Sequence, residues 1–394
     1  MHHTYWDYYR RDFEWLNYRS THLQIPTAEH TVPLLMAAGF SRDEAEALFE
    51  SGYVIFPNFD DIVIDRFYGG ALTSVDYRTR FPTSELRKAL AETPERPSAR
   101  VFHATSWADV QRIIDKDFRT QRTLSFRGQI LNYPHRRAIP NPHFAAAGLG
   151  EISLVPSLWR SMLGRMKTSF CDWFPPAAIE WSLVLDKAFD VEDIERRLKR
   201  LRDAGNWVHT ISEMEDCGDP LVEDYARVRG DLFLEYGLVR GITDGLNTLL
   251  QHYGMLSPML DLTTDLEIAR FFATNHLVKS PSGPRYEFVG TNGKQSVIYI
   301  FALDQNESYS YEHARAWKRF APQRPERQQC VVVSTNSFSL NLPGYFLVGL
   351  ITLDFDDILP GTATAEQLFP NSAADKFLKA LLDVDLFADF VTTF

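Results

Sequence analysis

Side chains that could act as acids, bases or ligand-binding groups are concentrated in one short stretch of the sequence. They are Gln251, His252, Tyr253, Asp261 and Thr263. The residues before this stretch have a helical pattern, which a glycine at position 254 can end. Residues 259–263 are predicted to form a strand, which sends Asp261 and Thr263 to the same face. His252 and Asp261 could therefore form an acid–base pair, whereas the alternative is a helix–turn–strand corner with a satisfied core histidine.

A second segment carries groups suited to binding a phosphorylated ligand. Arg127, Gly128 and Gln129 end a predicted strand at residues 124–129. The planar guanidinium of Arg127 can hold phosphate oxygens through two parallel hydrogen bonds. Gly128 has no Cβ, so a ligand can approach its backbone closely. The other interpretation is that Arg127 forms a salt bridge with Asp261 and only ties two strands together.

A third segment, Arg327, Gln328 and Gln329, precedes a predicted strand at residues 330–334. Its amides are candidate ligand-binding groups, and the alternative is that they satisfy backbone groups at the strand end. No other signature of a known site is found in the sequence. The histidines lack the i, i+4 spacing of a helical zinc pair, and no G-x-S-x-G, Walker or G-x-G-x-x-G string occurs. We therefore predict that the protein uses no metal ion.

Composition indicates a globular protein with a large core. The 394 residues are 45% hydrophobic, and the formal net charge is -11 with a pI near 5.5. This acidity argues against nonspecific binding of nucleic acid, which depends on neutralising phosphates. Cys171, Cys217 and Cys330 are too few and too widely spaced for a disulfide framework or a cysteine zinc site. The sequence has neither a secretion signal nor a long apolar run, so we expect a cytoplasmic protein without membrane contact.

Charged residues form several clusters in the sequence. The basic ones are Arg122, Arg127, Arg136 and Arg137, and further on Arg315, Lys318, Arg319, Arg324 and Arg327. These are expected at solvated surfaces, and the alternative is a phosphate pocket assembled from both clusters. The acidic residues Asp60, Asp61 and Asp65 are also expected at the surface, and Glu151 is expected to pair with Arg160.

The chain has an aromatic beginning and then alternates between helical and strand patterns. The first aromatic residues are Tyr5, Trp6, Tyr8, Tyr9, Phe13, Trp15 and Tyr18. They either pack on the body of the chain or anchor a partner, since aromatic residues are common at interface hot spots. Strands are predicted at residues 100–104, 124–129, 296–303 and 345–355, and helices at 106–115, 191–203, 222–238 and 265–273. Residues 280–294 are predicted to be a loop that could move.

Four ordered segments carry a family resemblance. They are residues 126–129, residues 154–160, residues 250–254 with Leu260, Asp261 and Thr263, and residues 327–330. They resemble the FRG domain, which is named for its phenylalanine-arginine-glycine signature, over residues 100–337. One departure is that the second arginine and the tryptophan that usually follow the Gln-His-Tyr-Gly box are absent, because residues 256–262 are Leu-Ser-Pro-Met-Leu-Asp-Leu.

The resemblance implies an α+β fold in three parts. Residues 1–97 form a partly helical N-terminal extension, residues 98–340 the FRG domain, and residues 341–394 a C-terminal strand and helices that pack on it. The central sheet is expected to be mixed or antiparallel, with a large helical insertion. The order of an arginine-glycine strand, a Ser/Thr strand and a Glu/Gln strand is similar to the split sheet of ADP-ribosyltransferases. Residues 257–260, Ser-Pro-Met-Leu, also resemble part of the DNA-directed members of that superfamily.

This resemblance implies an enzyme that uses NAD as a co-substrate. The expected catalytic residues are Arg127, His252, Asp261, Gln328 and Gln329. The expected NAD-binding residues are Arg127, Gly128, Gln129, Gln251, Tyr253, Thr263 and Arg327. Tyr253 would stack on nicotinamide, and Glu326, Gln328 or Gln329 would stabilise positive charge on the ribose.

The expected acceptor is a nucleic acid or a protein, in a bacterial toxin or phage-defence setting. A regulatory or antitoxin partner would bind the aromatic N-terminus. Two alternatives remain: a non-catalytic module that senses a nucleotide or peptide, and a nuclease or hydrolase that uses His252 and Asp261.

Overall fold

A computed structural model describes most of the chain after residue 26. The described residues are 27–55, 63–67, 70–71, 82–92, 99–118, 123–142, 145–146, 149–152, 154, 178–236, 248–249, 251–255, 259–280, 283–303, 308–309, 315–333, 346–356, 358–388 and 391. The aromatic N-terminus with its predicted partner, most of the 154–160 segment, and Cys171 lie outside these ranges.

The described chain contains helices and strands in mixed order. The strands are β1 (Tyr53–Ile55), β2 (Val63–Asp65), β3 (Gly70–Ala71), β4 (Arg100–Ala104), β5 (Leu124–Gln129), β6 (Pro134–His135), β7 (Ala145–Ala146), β8 (Gly150–Ile152), β9 (Leu262–Thr263), β10 (Asn275–Ser280), β11 (Gly283–Phe288), β12 (Val297–Ala302), β13 (Ser308–Tyr309), β14 (Cys330–Val333) and β15 (Leu347–Leu353). The helices are α1 (Ala28–Ala37), α2 (Arg42–Glu50), α3 (Leu86–Ala91), α4 (Trp107–Asp117), α5 (Ala178–Asp186), α6 (Val191–Asp203), α7 (Ile211–Glu215), α8 (Pro220–Tyr236), α9 (Leu266–Thr274), α10 (Gln323–Arg327), α11 (Ala365–Leu368), α12 (Lys376–Leu382) and α13 (Asp385–Ala388). Within these ranges every helix is too short or too polar to traverse a lipid bilayer.

The centre of the molecule is a mixed sheet in the order β13-β14-β9-β5-β12-β15-β4. Neighbouring strands are antiparallel except for β15 and β4, which are parallel. The predicted combination of helices with a central mixed sheet is confirmed. Strand β15 lies between β12 and β4, so the C-terminal part of the chain contributes an interior strand to the sheet.

Strand β12 is central because its residues are apolar on both faces, a pattern typical of a strand covered on both sides. Residues 297–301 are at most 1% exposed. One face packs in a cluster with Leu260 and Leu262, and the other packs against α4 and α9 through residues such as Val110 and Ala269. Helix α9 begins where Asp265 caps it, since the Asp265 side chain accepts hydrogen bonds from two backbone N–H groups of the first turn.

Four helices, α5 to α8, lie in sequence between β8 and β9. Buried side chains of α6 and α8, among them Ile194 and Val222, form a cluster separate from the core of the central sheet. The hairpin of β10 and β11 corrects the prediction of a mobile loop at residues 280–294. Two six-residue strands pair there in register from Asn275↔Phe288 to Ser280↔Gly283. The Gly, Ser and Pro residues favoured a loop, whereas the hairpin contacts α9 through Tyr286, whose ring packs against Phe271 and Phe272.

Arg137 connects the N-terminal helices and strands to the segment around Glu151 through hydrogen bonds and ion pairs. Its guanidinium donates to Asp65 at 2.7 Å, to Glu151 at 2.9 Å and to the carbonyl of Ser51 at 2.8 Å. The side chains of Arg137, Asp65 and Glu151 are 3%, 0% and 2% exposed. The predictions that Asp65 and Arg137 lie at the surface are therefore wrong, and Glu151 pairs with Arg137. Sequence clusters of charge do not show which members are buried together.

Candidate functional site

A cavity of about 420 Å³ lies where β5, β9 and β14 meet the hairpin and α9. It is lined by Phe126, Arg127, Gly128, Gln251, His252, Gly254, Met255, Asp261, Leu262, Thr263, Phe272, Leu277, Tyr286, Gln328, Cys330 and Phe369. Strand β5 pairs with β12 along its length but with β9 through the single pair Phe126↔Thr263. The cavity is therefore placed beside this short junction between the two strands.

Arg127 lies at this junction and borders the cavity. It is partly buried, and its Nη1 donates a hydrogen bond of 2.6 Å to the backbone carbonyl of Asp261. Arg127 thus links its strand to the Asp261 segment, as the alternative interpretation expects. The bond goes to the main chain of Asp261 and not to its carboxylate. Because a guanidinium has five N–H donors, this bond is compatible with phosphate binding.

His252 and Asp261 meet at the inner wall of the cavity. His252 lies in a helical turn that ends at Gly254, whose φ is +91°, as the sequence predicts. The His252 Nε2 is 3.8 Å from an Asp261 carboxylate oxygen, and the two side chains are 1% and 22% exposed. Burial lowers the pKa of His252, against the opposing effects of Asp261 and Gln328. Burial also raises the pKa of Asp261, and His252 and Arg127 only partly offset this.

Gln328 is the member of the glutamine pair that borders the cavity. Its backbone carbonyl accepts a 2.8 Å hydrogen bond from the Thr263 hydroxyl, and its amide nitrogen donates to the carbonyl of Leu368 at 3.1 Å. Gln329 instead has a φ of +43° and is exposed. Its side chain contacts Asp265 and Thr264 at the start of α9. The Gln329 side chain is therefore directed to the start of α9 and not into the cavity.

Other predicted ligand-binding residues also lie outside the cavity lining. Arg327 and Glu326 are exposed, and Gln129 is the last residue of β5, beyond Gly128. Arg324, from the second basic cluster, is fully buried and donates to the carbonyl of His252 at 3.1 Å. Arg137 and Arg324, one from each basic cluster, are both buried and bonded to other groups of the protein. These two arginines therefore do not form a phosphate pocket.

Tyr253 is a core residue, and it is not among the residues that line the cavity. Its side chain is fully buried, its hydroxyl donates to Asp375 at 2.6 Å, and its ring packs edge-on against Phe377. Arg324 also lies over the ring, 5.0 Å from its centre. A helical turn sends successive side chains in different directions, so His252 borders the cavity and its neighbour does not.

We expect Tyr253→Phe to lower the free energy of unfolding by about 2 kcal/mol, since it removes a hydrogen bond to a buried carboxylate. Ligand affinity should stay within about twofold of the parent, because a ring outside the cavity makes no ligand contact. Urea denaturation and equilibrium binding of NAD check the two parts separately. A large loss of NAD affinity in a folded Tyr253→Phe variant would show that the Tyr253 hydroxyl contacts the ligand.

Gly128 allows helix α9 to pack directly on β5. A Cβ at this position would lie 1.7 Å from the backbone oxygen of Ala269 and 2.8 Å from the nitrogen of Ala273. Helix packing therefore requires a glycine at position 128. The close approach of a ligand to this backbone stays a prediction.

We expect Gly128→Ala to destabilise the protein by about 3 kcal/mol, because the obstructing atoms are backbone and cannot rotate away. Gly230→Ala in α8 is the matched control, since its new methyl group meets chiefly the flexible end of Glu215. The control should be neutral or slightly stabilising. Equal urea midpoints for the two variants would contradict this account of Gly128.

Several cavity residues could not be identified from the sequence motifs. Phe272, Tyr286 and Phe369 form an aromatic wall in which the rings of Tyr286 and Phe369 stack at 5.0 Å. Burial raises the pKa of Tyr286. Cys330, predicted as a small buried thiol, borders the cavity beside Asp261. Cys330 could have been placed beside Asp261 only if the pairing of β14 with β9 were known. The sequence does not show that order of strands.

Comparison of the chain with family models, with curated proteins and with solved structures found no match. The resemblance to the FRG domain thus depends on the residues quoted above, and the function depends on the cavity.

Proposed function

We propose that this protein is an ADP-ribosyltransferase-like enzyme that binds NAD in the cavity and transfers ADP-ribose to a macromolecule. The main support is that Arg127 on β5, Thr263 on β9 and Gln328 before β14 border one cavity on three neighbouring strands. This is the order of arginine, hydroxyl and glutamine elements that the sequence resembles. The cavity volume of about 420 Å³ is in the range of small-molecule sites.

In the proposed reaction, the bond between the nicotinamide nitrogen and the ribose breaks. Nicotinamide leaves with the bonding electrons, an acceptor atom bonds to the same ribose carbon, and the acceptor loses a proton. Arg127 would hold the pyrophosphate, which fixes the ribose relative to the inner wall. The aromatic wall of Phe272, Tyr286 and Phe369 would exclude water from the reacting carbon.

The inner wall supplies the polar groups that this reaction requires. Positive charge builds on the ribose as the bond breaks, and the Asp261 carboxylate or the Gln328 amide oxygen would stabilise it. With Gln329 and Glu326 placed elsewhere, this role falls to these two residues. Burial keeps His252 neutral near pH 7, so its imidazole can accept the proton of the acceptor.

The setting of the proposed reaction follows from the resemblance. The acceptor would be a nucleic acid or a protein, in the cytoplasm of a bacterium, in a toxin or phage-defence role. A split sheet of the ADP-ribosyltransferase kind is part of the proposal, and the single-pair junction between β5 and β9 supports it. An antitoxin or regulatory partner would bind the aromatic N-terminus.

A non-catalytic module that binds a nucleotide is the second candidate. The observation that favours it is the exposed position of Glu326, which leaves Asp261 as the carboxylate among the described residues that line the cavity. A hydrolase that uses His252 and Asp261 is the third, and their 3.8 Å separation favours it.

Incubating the purified chain with NAD labelled in its adenylate part distinguishes these functions. Parallel reactions contain DNA, RNA, cell lysate or no acceptor, and both free nicotinamide and label on macromolecules are measured. Release of nicotinamide with transfer of label supports the proposed enzyme. Binding of NAD without release supports the module, and cleavage of nucleic acid without NAD supports the hydrolase. If the chain neither binds nor cleaves NAD, the proposed function is wrong.

A further inference from the structure

Three side chains with metal-binding atoms converge at the inner wall of the cavity. The nearest ligand atoms of His252, Asp261 and Cys330 all lie within 4.8 Å of one another. They come from different parts of the chain: the turn before Gly254, the residue before β9, and the first residue of β14. The pairing Cys330↔Thr263 brings β14 beside the strand that follows Asp261. The sequence gives no sign of this cluster, because its members are widely separated and lack metal-site spacing.

The cluster contains buried polar atoms whose hydrogen bonding is incomplete. His252 is 5% exposed, and neither ring nitrogen makes a well-formed hydrogen bond within the described chain. The same holds there for the buried Asp261 oxygen Oδ1. Buried polar groups are normally paired, so such atoms in a native structure indicate a bound water, ion or ligand. The His252 Nε2 and the Asp261 Oδ1 are 3.8 Å apart, which is close enough for both atoms to bind one small ion.

We propose that His252, Asp261 and Cys330 bind a Zn²⁺ ion through one imidazole nitrogen, one carboxylate oxygen and the thiolate sulfur. Nitrogen, oxygen and sulfur together are the ligand set of zinc rather than of calcium or magnesium. Tetrahedral zinc places such atoms about 3.3–3.6 Å apart. The His252–Asp261 separation of 3.8 Å already approaches this range, and rotation of the Cys330 side chain would complete the triad.

The fourth position of this zinc site faces the cavity. All three ligands are cavity-lining residues, and zinc sites with three protein ligands and one open position are typical of reactive or substrate-binding centres. The Gln328 amide, oriented by its bond to Leu368, lies beside the imidazole. Its oxygen can accept a hydrogen bond from the N–H of the His252 ring nitrogen that does not bind zinc, the kind of outer contact that orients a zinc-bound histidine.

This inference goes beyond the proposed function and changes one part of it, and it stands against the prediction from the sequence that the protein uses no metal ion. With zinc bound, His252 and Asp261 act as ligands, and their acid–base role is replaced. Arg127 and Gln328 keep their roles. An open zinc position near the Arg127 guanidinium would add a second cationic group for an anionic ligand.

Cobalt(II) is a suitable probe because it occupies zinc sites and shows a charge-transfer absorption band with thiolate. The full-length chain is stripped with chelator and titrated with Co²⁺, then with Zn²⁺. We expect one Co²⁺ per chain, a thiolate band, and loss of the band when Zn²⁺ is added. The double variant Cys171→Ser with Cys217→Ser, in which Cys330 is the single thiol, should keep the band.

Cys330→Ser should abolish the band, and His252→Gln should weaken Co²⁺ binding by more than about tenfold, since even outer-shell changes have that effect. Absence of a thiolate band in the parent, or its loss in the double variant, would overturn the proposal. These measurements need no NAD. If the protein releases nicotinamide but does not bind zinc, the proposed function holds and the zinc site is wrong. If it binds zinc but does not release nicotinamide, the zinc site holds and the NAD reaction is wrong.

Discussion

Under the proposed function, Arg127→Ala is expected to reduce nicotinamide release from NAD by on the order of 100-fold, the size of effect that follows when a substrate is held out of position. Arg127 is the cavity-lining arginine of β5, and its side chain is partly buried there. A guanidinium in such a place grips a pyrophosphate more strongly than an exposed one, because water screens it less. Its loss should raise the KM for NAD and also lower kcat, since the ribose is then held less precisely.

Two further variants make this test specific. Arg136→Ala removes the same side chain from an exposed position outside the cavity, and it should leave the rate unchanged. Arg127→Lys keeps the charge but loses the planar fork, so we expect an intermediate rate. Because Arg127 also donates to the carbonyl of Asp261, each variant is first checked by thermal unfolding. A folded Arg127→Ala protein with the parental rate would contradict the assigned role.

Arg137→Ala is expected to destabilise the protein by about 4 kcal/mol, because it leaves the buried carboxylates of Asp65 and Glu151 without their cation. Burial lowers the pKa of Arg137, but Asp65 and Glu151 outweigh this and raise it overall, so the guanidinium stays charged. The variant would also lose the contact between the Arg137 guanidinium and the Tyr53 ring, whose centre lies 4.9 Å away.

Urea denaturation of the parent and of Arg137→Ala measures this effect, and Arg136→Ala is again the matched control. The neighbouring arginine is exposed, so its removal should change the free energy of unfolding by less than about 0.5 kcal/mol. Similar midpoints for both variants would show that the buried charges contribute little. A separate early transition in Arg137→Ala would mean that the N-terminal helices unfold independently once the Arg137 contacts are removed.

Much of the sheet could be predicted because its strands have strong local patterns. Strand β12 is continuously apolar, and β5 and β4 are short runs bounded by turn or capping residues, so their predicted positions agree with the structure. Helix α9 spans Leu266–Thr274, within one residue of the predicted helix at 265–273. The hairpin of β10 and β11 was missed because Gly, Ser and Pro suggest a loop, whereas pairing with a neighbouring strand is decided by tertiary packing.

The candidate site was predicted by residue type more successfully than by side-chain direction. Arg127, His252, Asp261 and Gln328 do line one cavity. Tyr253 and Gln329 adjoin two of them in sequence but point elsewhere, one because of helical geometry and one because of a left-handed φ. The aromatic wall and the approach of Cys330 to Asp261 depend on sheet order and loop packing, which no local pattern specifies.

A crystal structure of the protein with ADP-ribose most directly tests the claim that this cavity is a nucleotide site. We expect the ligand to occupy the cavity, with phosphate oxygens hydrogen-bonded to the Arg127 guanidinium and the ribose against His252, Asp261 and Gln328. ADP-ribose bound at another surface, with the cavity empty, would contradict the account.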